Sequence, residues 1–388
     1  MVNDRSERTH ASTISVLFFR RLARNQRILV SKERILFPTF NTQIRSRRMP
    51  LMTPLFPALE PYASATFFSA EGYRIFYECS GNAQSPTVLF IHGGPGSGAS
   101  ARHRRYFNPG KWNIVLFDQR GCGRSTPLFE LETNTLTAQI DDMERLREEL
   151  GLERWTLFGP SWGSTLALAY AQAYPERVDT LVVEGVLLGE REEIDWFHDC
   201  AGAGGIWPDA QHRLMMDTPE AFRRPPAFRQ WALERMREEL AEGRPHLEGL
   251  EDPDTPIESL RQSIIYRWSE YEETLAWLDK SPEDIREDFA ERGRDWLTGH
   301  SLLEAWYFSH DCFLEPGQLL RDAHRLTMPM HVIQSRYDLV CPGRAAYRLA
   351  EAAPDARLHW VERSGHIMTA PVHREVRTLF EALAASRR

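Results

Sequence analysis

A serine between two glycines is the pattern in this chain with the clearest chemical meaning. Gly159, Ser161 and Gly163 follow the short apolar run "WTLF" (155–158) and precede the alanine- and leucine-rich "STLALAYAQAY" (164–174). Where a strand turns sharply into a helix, a serine is held in a strained conformation with its hydroxyl exposed, and glycines on either side relieve the crowding. The spacing therefore predicts a nucleophilic serine. The alternative is a turn serine with a structural role only.

A nucleophilic serine needs a base to take its proton and an acid to orient that base. For this type of turn, the acid follows the penultimate strand and the base follows the last strand. Asp338 comes shortly after the strand-like "MHVIQS" (330–335), and His366 comes shortly after "RLHWVE" (357–362). We therefore predict a catalytic triad of Ser161, Asp338 and His366. Asp118 also follows an apolar run, but it precedes the serine, and we expect it to stabilise a loop.

Acyl transfer also requires donors for the oxyanion of the tetrahedral intermediate. We expect one donor to be the backbone N–H of Trp162, the residue after the nucleophile. The other is expected from the loop "HGGPG" (92–96), where Gly94 can bring its amide close to substrate because it lacks a Cβ. His92 in the same loop is expected to form structural hydrogen bonds rather than to act as the base.

Strand-like and helical segments alternate along most of the chain, which predicts a mostly parallel sheet with helices on both faces. A hairpin is predicted around Glu71-Gly72 within residues 65–78. Apolar runs at 87–92, 113–117, 155–158, 180–185, 330–335 and 357–362 are predicted strands, and 137–151 is a predicted helix. Residues 189–312 are charged, helical in pattern and contain seven of the eleven tryptophans. We predict that they form an inserted helical cap, the alternative being a separate helical domain.

Composition excludes several classes of protein. No apolar run approaches the ~20 residues that a membrane helix needs. The five cysteines are scattered without a CxxC pair, which favours a reducing, cytoplasmic environment over a disulfide framework or a zinc site. Residues 1–50 carry a net charge of +8. Because the net charge of the whole chain is −8, the remaining residues carry −16. An acidic body does not suit nucleic acid and is compatible with small cationic substrates.

Residues 1–51 differ from the rest of the chain because they are rich in arginine and weak in apolar periodicity. We expect a basic N-terminal extension here, followed by the main domain at 52–388. A disordered tail, a transit-like leader, or a start codon upstream of a functional start near Met49 or Met52 would each explain the composition.

The motifs together resemble the proline iminopeptidase (prolyl aminopeptidase) family of α/β-hydrolases. The resemblance runs from residue 52 to the end of the chain. It is carried by "MTPLFPALEPY" (52–62), "HGGPG" (92–96), "LFDQRGCGRSTP" (116–127), "GPSWGSTLALAYAQAYPERV" (159–178), "SRYDLVCP" (335–342) and "SGH" (364–366). It implies an α/β-hydrolase fold and the release of an N-terminal residue, typically proline, from short peptides or amino-acid amides.

The resemblance also implies a site for the substrate's amino group in the cap. Two cap glutamates of the family bind this group, and the matching segments "WSEYE" (268–272) and "EAWYF" (304–308) assign the role to Glu272 and Glu304. Carboxylate partners offset the cost of removing an ammonium from water. The sequence departs from the family pattern at four positions, and the departures bear on how strictly proline is preferred. They are Pro160 for glycine, Glu184 for arginine, Tyr271 for tryptophan and Trp306 for histidine.

The sequence thus predicts a serine exopeptidase that uses no metal or other cofactor and acts on a small peptide or amino-acid amide. An esterase or amidase of the same fold, acting on a non-peptide substrate, is the main alternative. A non-catalytic binding protein on the same scaffold is the second.

Overall fold

A computed structural model describes residues 55–386. The predicted N-terminal extension at 1–51 lies outside the described residues.

The described chain is built on one eight-stranded sheet. Its strands are β1 (Ala63–Phe68), β2 (Arg74–Gly81), β3 (Thr87–Phe90), β4 (Asn113–Phe117), β5 (Trp155–Pro160), β6 (Val178–Glu184), β7 (Met330–Ser335) and β8 (Ala356–Val361). The strands lie in the order β1-β2-β4-β3-β5-β6-β7-β8. The predicted hairpin is confirmed, since β1 and β2 pair antiparallel, and the pairs from β4 to β8 are all parallel.

Helices cover both faces of this sheet, as the alternation of elements predicts. The α-helices within residues 55–386 are α1 (Ala101–Arg104), α2 (Leu136–Glu149), α3 (Trp162–Ala173), α4 (Arg191–His198), α5 (Ala203–Ile206), α6 (Pro208–Leu214), α7 (Ala227–Ala241), α8 (Ile257–Leu260), α9 (Ile264–Ala276), α10 (Pro282–Arg292), α11 (Arg294–Ser309), α12 (Gln318–Arg321), α13 (Arg344–Ala352) and α14 (Ala370–Ser386). None of them has both the length and the apolar character needed to cross a membrane.

Successive residues of the central strands contribute to two separate cores, because side chains alternate across a strand. On β3, Val88 and Phe90 belong to the core that includes the buried face of α14. Leu89 belongs to the other core, which includes residues of α2, α3 and α13. Burial on both sides explains why these strands are continuous apolar runs in the sequence.

The segment between β6 and β7 contains no strand of the sheet and folds into helices α4 to α12. We call α4 to α11 the cap. Its helices α9 and α11 pack together through buried serines, since Ser269 Oγ lies 2.7 Å from Ser301 Oγ and Ser301 Oγ donates to the carbonyl of Ile265 at 2.8 Å. This contact places the two predicted cap glutamates on neighbouring helices.

The start of α3 approaches the end of β3 very closely at Gly163. A Cβ at this position would collide with the carbonyl oxygen of Ile91, which follows β3. A residue larger than glycine would therefore separate the helix from the strand, and the position of Ser161 depends on this contact.

We expect Gly163→Ala to lower the free energy of unfolding by about 1–3 kcal/mol, because overpacking forces the backbone to move. The measurement is urea denaturation of the full chain. Gly110→Ala is a matched control, since a Cβ there meets nothing nearer than a side-chain oxygen at 3.4 Å. Equal stability of the two variants would contradict this account of the packing.

Candidate active site

Ser161 lies at the tight turn between β5 and α3, where it is the residue before the first helical position. Its backbone has φ 54° and ψ −128°, a region that residues with a Cβ rarely adopt. The N–H of Ser161 donates to the carbonyl of Glu184 at the end of β6, at 2.8 Å. A Cβ at Gly159 would collide with the carbonyl of Gly163, so both flanking glycines are required by space.

The structure brings the three residues of the predicted triad together. His366 Nε2 lies 3.1 Å from Ser161 Oγ, and His366 Nδ1 lies 2.9 Å from Asp338 Oδ2. Asp338 Oδ1 accepts hydrogen bonds from the N–H groups of Val340 at 3.0 Å and Cys341 at 2.7 Å. These donors hold the carboxylate in the orientation that makes Nδ1 the protonated nitrogen and leaves Nε2 free to accept from the serine.

The electrostatic surroundings of His366 favour its protonated form. Burial by itself lowers the pKa of the ring, but the charge of Asp338 and its hydrogen bond, together with Glu184 and Glu272, raise the pKa to about 9. The same negative charges would stabilise the imidazolium that forms when the ring accepts a proton.

The two predicted oxyanion donors lie beside the serine. Trp162 is the first residue of α3, where an N–H has no carbonyl partner within the helix. Gly94 has φ +107°, and a side chain there would meet the N–H of Gly96 and Ser97, so the loop requires glycine. Gly94 lines the same two cavities as Ser161.

His92 holds this loop through a chain of buried hydrogen bonds. The N–H of Gln119 donates to His92 Nε2 at 3.0 Å, while His92 Nδ1 lies 2.9 Å from the carbonyl of Gly93. Gln119 also donates to the carbonyl of His92 at 2.8 Å and accepts from Trp162 Nε1 at 2.9 Å. Burial lowers the pKa of His92, so the ring is neutral. The expected structural role of His92 is confirmed. Gln119 takes part in the same network, although no sequence pattern pointed to it.

Asp118 has the structural role expected for it. Its carboxylate accepts from the N–H groups of Ala99 at 2.7 Å and Arg124 at 2.8 Å, and it pairs with the guanidinium of Arg124 at 2.7 Å. These bonds fix the loops that follow β3 and β4.

Glu272 on α9 and Glu304 on α11 are both buried, and both line a cavity that Ser161 also lines. Glu304 Oε2 accepts from Trp268 Nε1 at 2.5 Å. Glu272 Oε2 accepts no hydrogen bond of acceptable geometry from residues 55–386, although His300 Nε2 lies 3.3 Å away. His300 was not selected from the sequence, but it lies one helical turn before Glu304, a spacing that places both on one face of α11.

These two carboxyl groups form a buried acidic pair. Burial raises the pKa of Glu272, and the neighbouring charge of Glu304 raises it further. Burial also raises the pKa of Glu304 to about 8, although its hydrogen bonds with Trp268 and Glu272 oppose this shift. One ligand atom each from Glu272, His300 and Glu304 lies within 4.8 Å of the others, which is also close enough to bind a metal ion. The geometry therefore suits a cation, either an organic ammonium or a metal.

Three other aromatic residues of the two cap motifs donate hydrogen bonds to groups other than the glutamates. Tyr271 donates to the carbonyl of Phe197 at 2.7 Å, and Trp306 donates to the carbonyl of Asn134 at 2.8 Å. Tyr307 donates to the side chain of Asn134 at 2.7 Å. Two of the departures from the family pattern, Tyr271 and Trp306, thus help to fasten cap helices rather than to contact the carboxyl groups.

Two cavities meet at Ser161. The larger has a volume of about 630 Å³, within the ordinary range of small-molecule sites. The second is narrow and mainly apolar. Its walls include Leu187, Ile194, Phe197, Phe308 and Val340, and both Glu272 and Glu304 lie at its boundary. Ser161 lines both cavities, but the second has a volume of only about 10 Å³, enough for about one water molecule.

The raised pKa of His366 predicts that fluorophosphonate labelling of Ser161 will become faster as the pH rises towards about 9, since only the neutral ring accepts the serine proton. An unperturbed histidine would give a midpoint near ~6.5. Asp338→Asn removes the main favourable charge, so the midpoint should fall and the maximal rate should drop by about 10⁴-fold, as for other triads. A wild-type midpoint near 6.5 that is unchanged by Asp338→Asn would contradict this.

Comparison with known proteins agrees with this architecture. The chain matches the alpha/beta hydrolase fold family over residues 86–369. It is 36% identical over 317 residues to the proline iminopeptidase of Xylella fastidiosa, covering 81% of this chain and 94% of the relative. It is 34% identical over 318 residues to that of Arabidopsis thaliana, covering 82% and 78%. Among solved structures, an esterase from Exiguobacterium antarcticum shares the fold with a TM-score of 0.52 at 16% identity, covering 83% of this chain and 99% of the esterase. The chain therefore belongs to the proline iminopeptidase family of α/β-hydrolases.

Proposed function

We propose that this protein is a serine exopeptidase that releases an N-terminal residue, with proline preferred, from short peptides and amino-acid amides. The observation that carries the proposal is the pair of buried carboxyl groups, Glu272 and Glu304, which border the same narrow cavity as Ser161. A free amino terminus is the cation that a peptide substrate would bring to such a pair, and its ammonium would replace the proton that the pair holds.

The reaction follows from the hydrogen bonds around Ser161. His366 Nε2 takes the hydroxyl proton as Ser161 Oγ attacks the carbonyl of the first residue, and the N–H groups of Gly94 and Trp162 stabilise the oxyanion. His366 then donates the proton to the leaving amine, and the acyl-enzyme forms. Water, activated by the same ring, releases the amino acid, while Asp338 holds the ring and stabilises its charge.

The narrow cavity supports a compact first residue, because its volume is only about 10 Å³ and its walls must part to admit one. Apolar side chains such as Leu187, Phe197 and Phe308 would contact a ring like that of proline, and the carboxyl groups at the boundary would bind its secondary ammonium. If the substrate continued on the N-terminal side of this amino group, the additional residues would meet the cap. This arrangement supports removal of a single N-terminal residue over internal cleavage.

We also place the reaction in the cytoplasm. All five cysteines are free thiols, and four of them are buried. Free thiols are typical of proteins that work in a reducing compartment.

The nucleophile is tested by Ser161→Ala, which should abolish fluorophosphonate labelling and reduce kcat on proline arylamide by several orders of magnitude. Residual catalysis from the oxyanion donors and binding would stay about 10³–10⁴ above water. EDTA should leave wild-type activity unchanged, because the proposed steps require no metal. Loss of activity on chelation would instead assign the Glu272, His300 and Glu304 cluster to a metal.

The amino-group site is tested by Glu304→Gln and Glu272→Gln on free and N-acetylated forms of one proline arylamide. Removing one partner of a buried charge pair costs about 2–5 kcal/mol, so kcat/KM for the free amine should fall roughly 30- to 4,000-fold. The acetylated substrate should be poor for the wild type and should lose little in either variant.

Glu273→Gln is the matched control, because Glu273 neighbours Glu272 but pairs with Arg292 at 3.0 Å and accepts from Trp277 at 2.8 Å. It should keep the wild-type ratio of free to acetylated rates. Equal losses on both substrates in the Glu272 and Glu304 variants would make these residues structural and would favour the esterase or amidase alternative.

A further inference from the structure

Glu184 is a buried carboxyl group at the active site that the proposed reaction does not use. It ends β6, its carbonyl accepts the N–H of Ser161, and only 1% of the residue is exposed. Glu184 lines the larger cavity, and its buried Oε1 accepts no hydrogen bond from residues 55–386. A buried acceptor without a donor is costly, so its presence beside the nucleophile calls for a ligand that supplies the donor.

Of the other acidic groups on the cavity wall, Glu272 belongs to the proposed amino-group site, and the remaining two have cationic partners. Asp118 pairs with Arg124 at 2.7 Å, and Glu273 pairs with Arg292 at 3.0 Å. Arg102 also lines the cavity, but it is exposed, and solvent and salt screen its charge. Burial raises the pKa of Glu184 to about 8, although the nearby His366 opposes this, so a cation bound beside it would stabilise the ionised form.

The two cavities assign Glu184 to one side of the scissile bond. Gly94, Ser161 and Glu272 line both cavities, whereas Glu304 lines only the narrow one and Glu184 only the larger one. If the first residue occupies the narrow cavity with its ammonium at the glutamate pair, the group that leaves from the carbonyl must lie in the larger cavity.

We propose that Glu184 is a specificity determinant for the leaving group and binds the cationic side chain of the residue after the scissile bond, a lysine or an arginine. The inference rests on the proposed function. An ammonium or guanidinium would form a charge-assisted interaction with the Glu184 carboxylate, and the cavity of about 630 Å³ has room for a long side chain.

The experiment compares kcat/KM for prolyl-lysine amide and prolyl-norleucine amide. Norleucine has the aliphatic length of lysine without the charge. Wild type should prefer the lysine substrate at least tenfold, equivalent to about 1.4 kcal/mol. Glu184→Gln should reduce the ratio to about one. The ratio cancels any effect of Glu184 on His366, because both substrates use the same base.

Two controls keep the test decisive. Glu273→Gln, on the same cavity wall, should retain the wild-type ratio. Prolyl-Nε-acetyl-lysine amide removes the charge without a mutation, so wild type should treat it like the norleucine substrate even if Glu184→Gln fails to fold.

Three results would overturn the inference. They are an absence of preference in wild type, a preference that survives Glu184→Gln, or a preference for lysine as the first residue instead. Failure of the proposed function is a separate outcome: no prolyl amide would be cleaved at all, whereas failure of this inference leaves cleavage of neutral prolyl amides intact.

Discussion

The backbone strain at Ser161 is the constraint on which the rest of the site depends. A residue with a Cβ at φ 54° and ψ −128° costs of order 1–3 kcal/mol and persists only where the surroundings leave no alternative. Here β5 and β6 hold the turn through the Ser161 N–H, while Gly159 and Gly163 let α3 approach the sheet closely. The hydroxyl is thereby raised above the carboxyl edge of the sheet, where the loops after β7 and β8 bring Asp338 and His366.

A second constraint is an excess of negative charge around a single histidine. Glu184 and Glu272 both attract the His366 proton, and Glu304 lies beside Glu272. Such an arrangement is unfavourable unless protons or cations compensate it. In the proposed complex, a substrate ammonium offsets the charge of Glu272, which weakens the attraction that keeps His366 protonated. Binding of a free amino group would then help to generate the neutral base, so that recognition and catalysis use the same charges.

In the proposed complex, this recognition comes from two helices of the cap, which is inserted between β6 and β7 in the sequence. Glu272 on α9 and Glu304 on α11 are brought together by the buried serine contact between the helices and by the bond from Trp268 to Glu304. The Ser161, Asp338 and His366 contacts lie at the edge of the sheet, and the proposed amino-group site lies on the cap. The two can therefore vary separately, which is consistent with four departures from the family pattern that leave the Ser161, Asp338 and His366 contacts intact.

The sequence by itself determined the strands, their parallel sheet and the approximate place of Ser161, Asp338 and His366, because each of these residues follows a strand whose apolar run is readable locally. The collision at Gly163 was also foreseeable, since the spacing of glycines about the serine has a steric cause. Only the tertiary structure decided which carboxyl groups lack partners, that His300 approaches Glu272, and that Gln119 joins His92 to Trp162. Burial and pairing of this kind depend on how helices and loops far apart in the chain pack, and no local pattern of residue types records that packing.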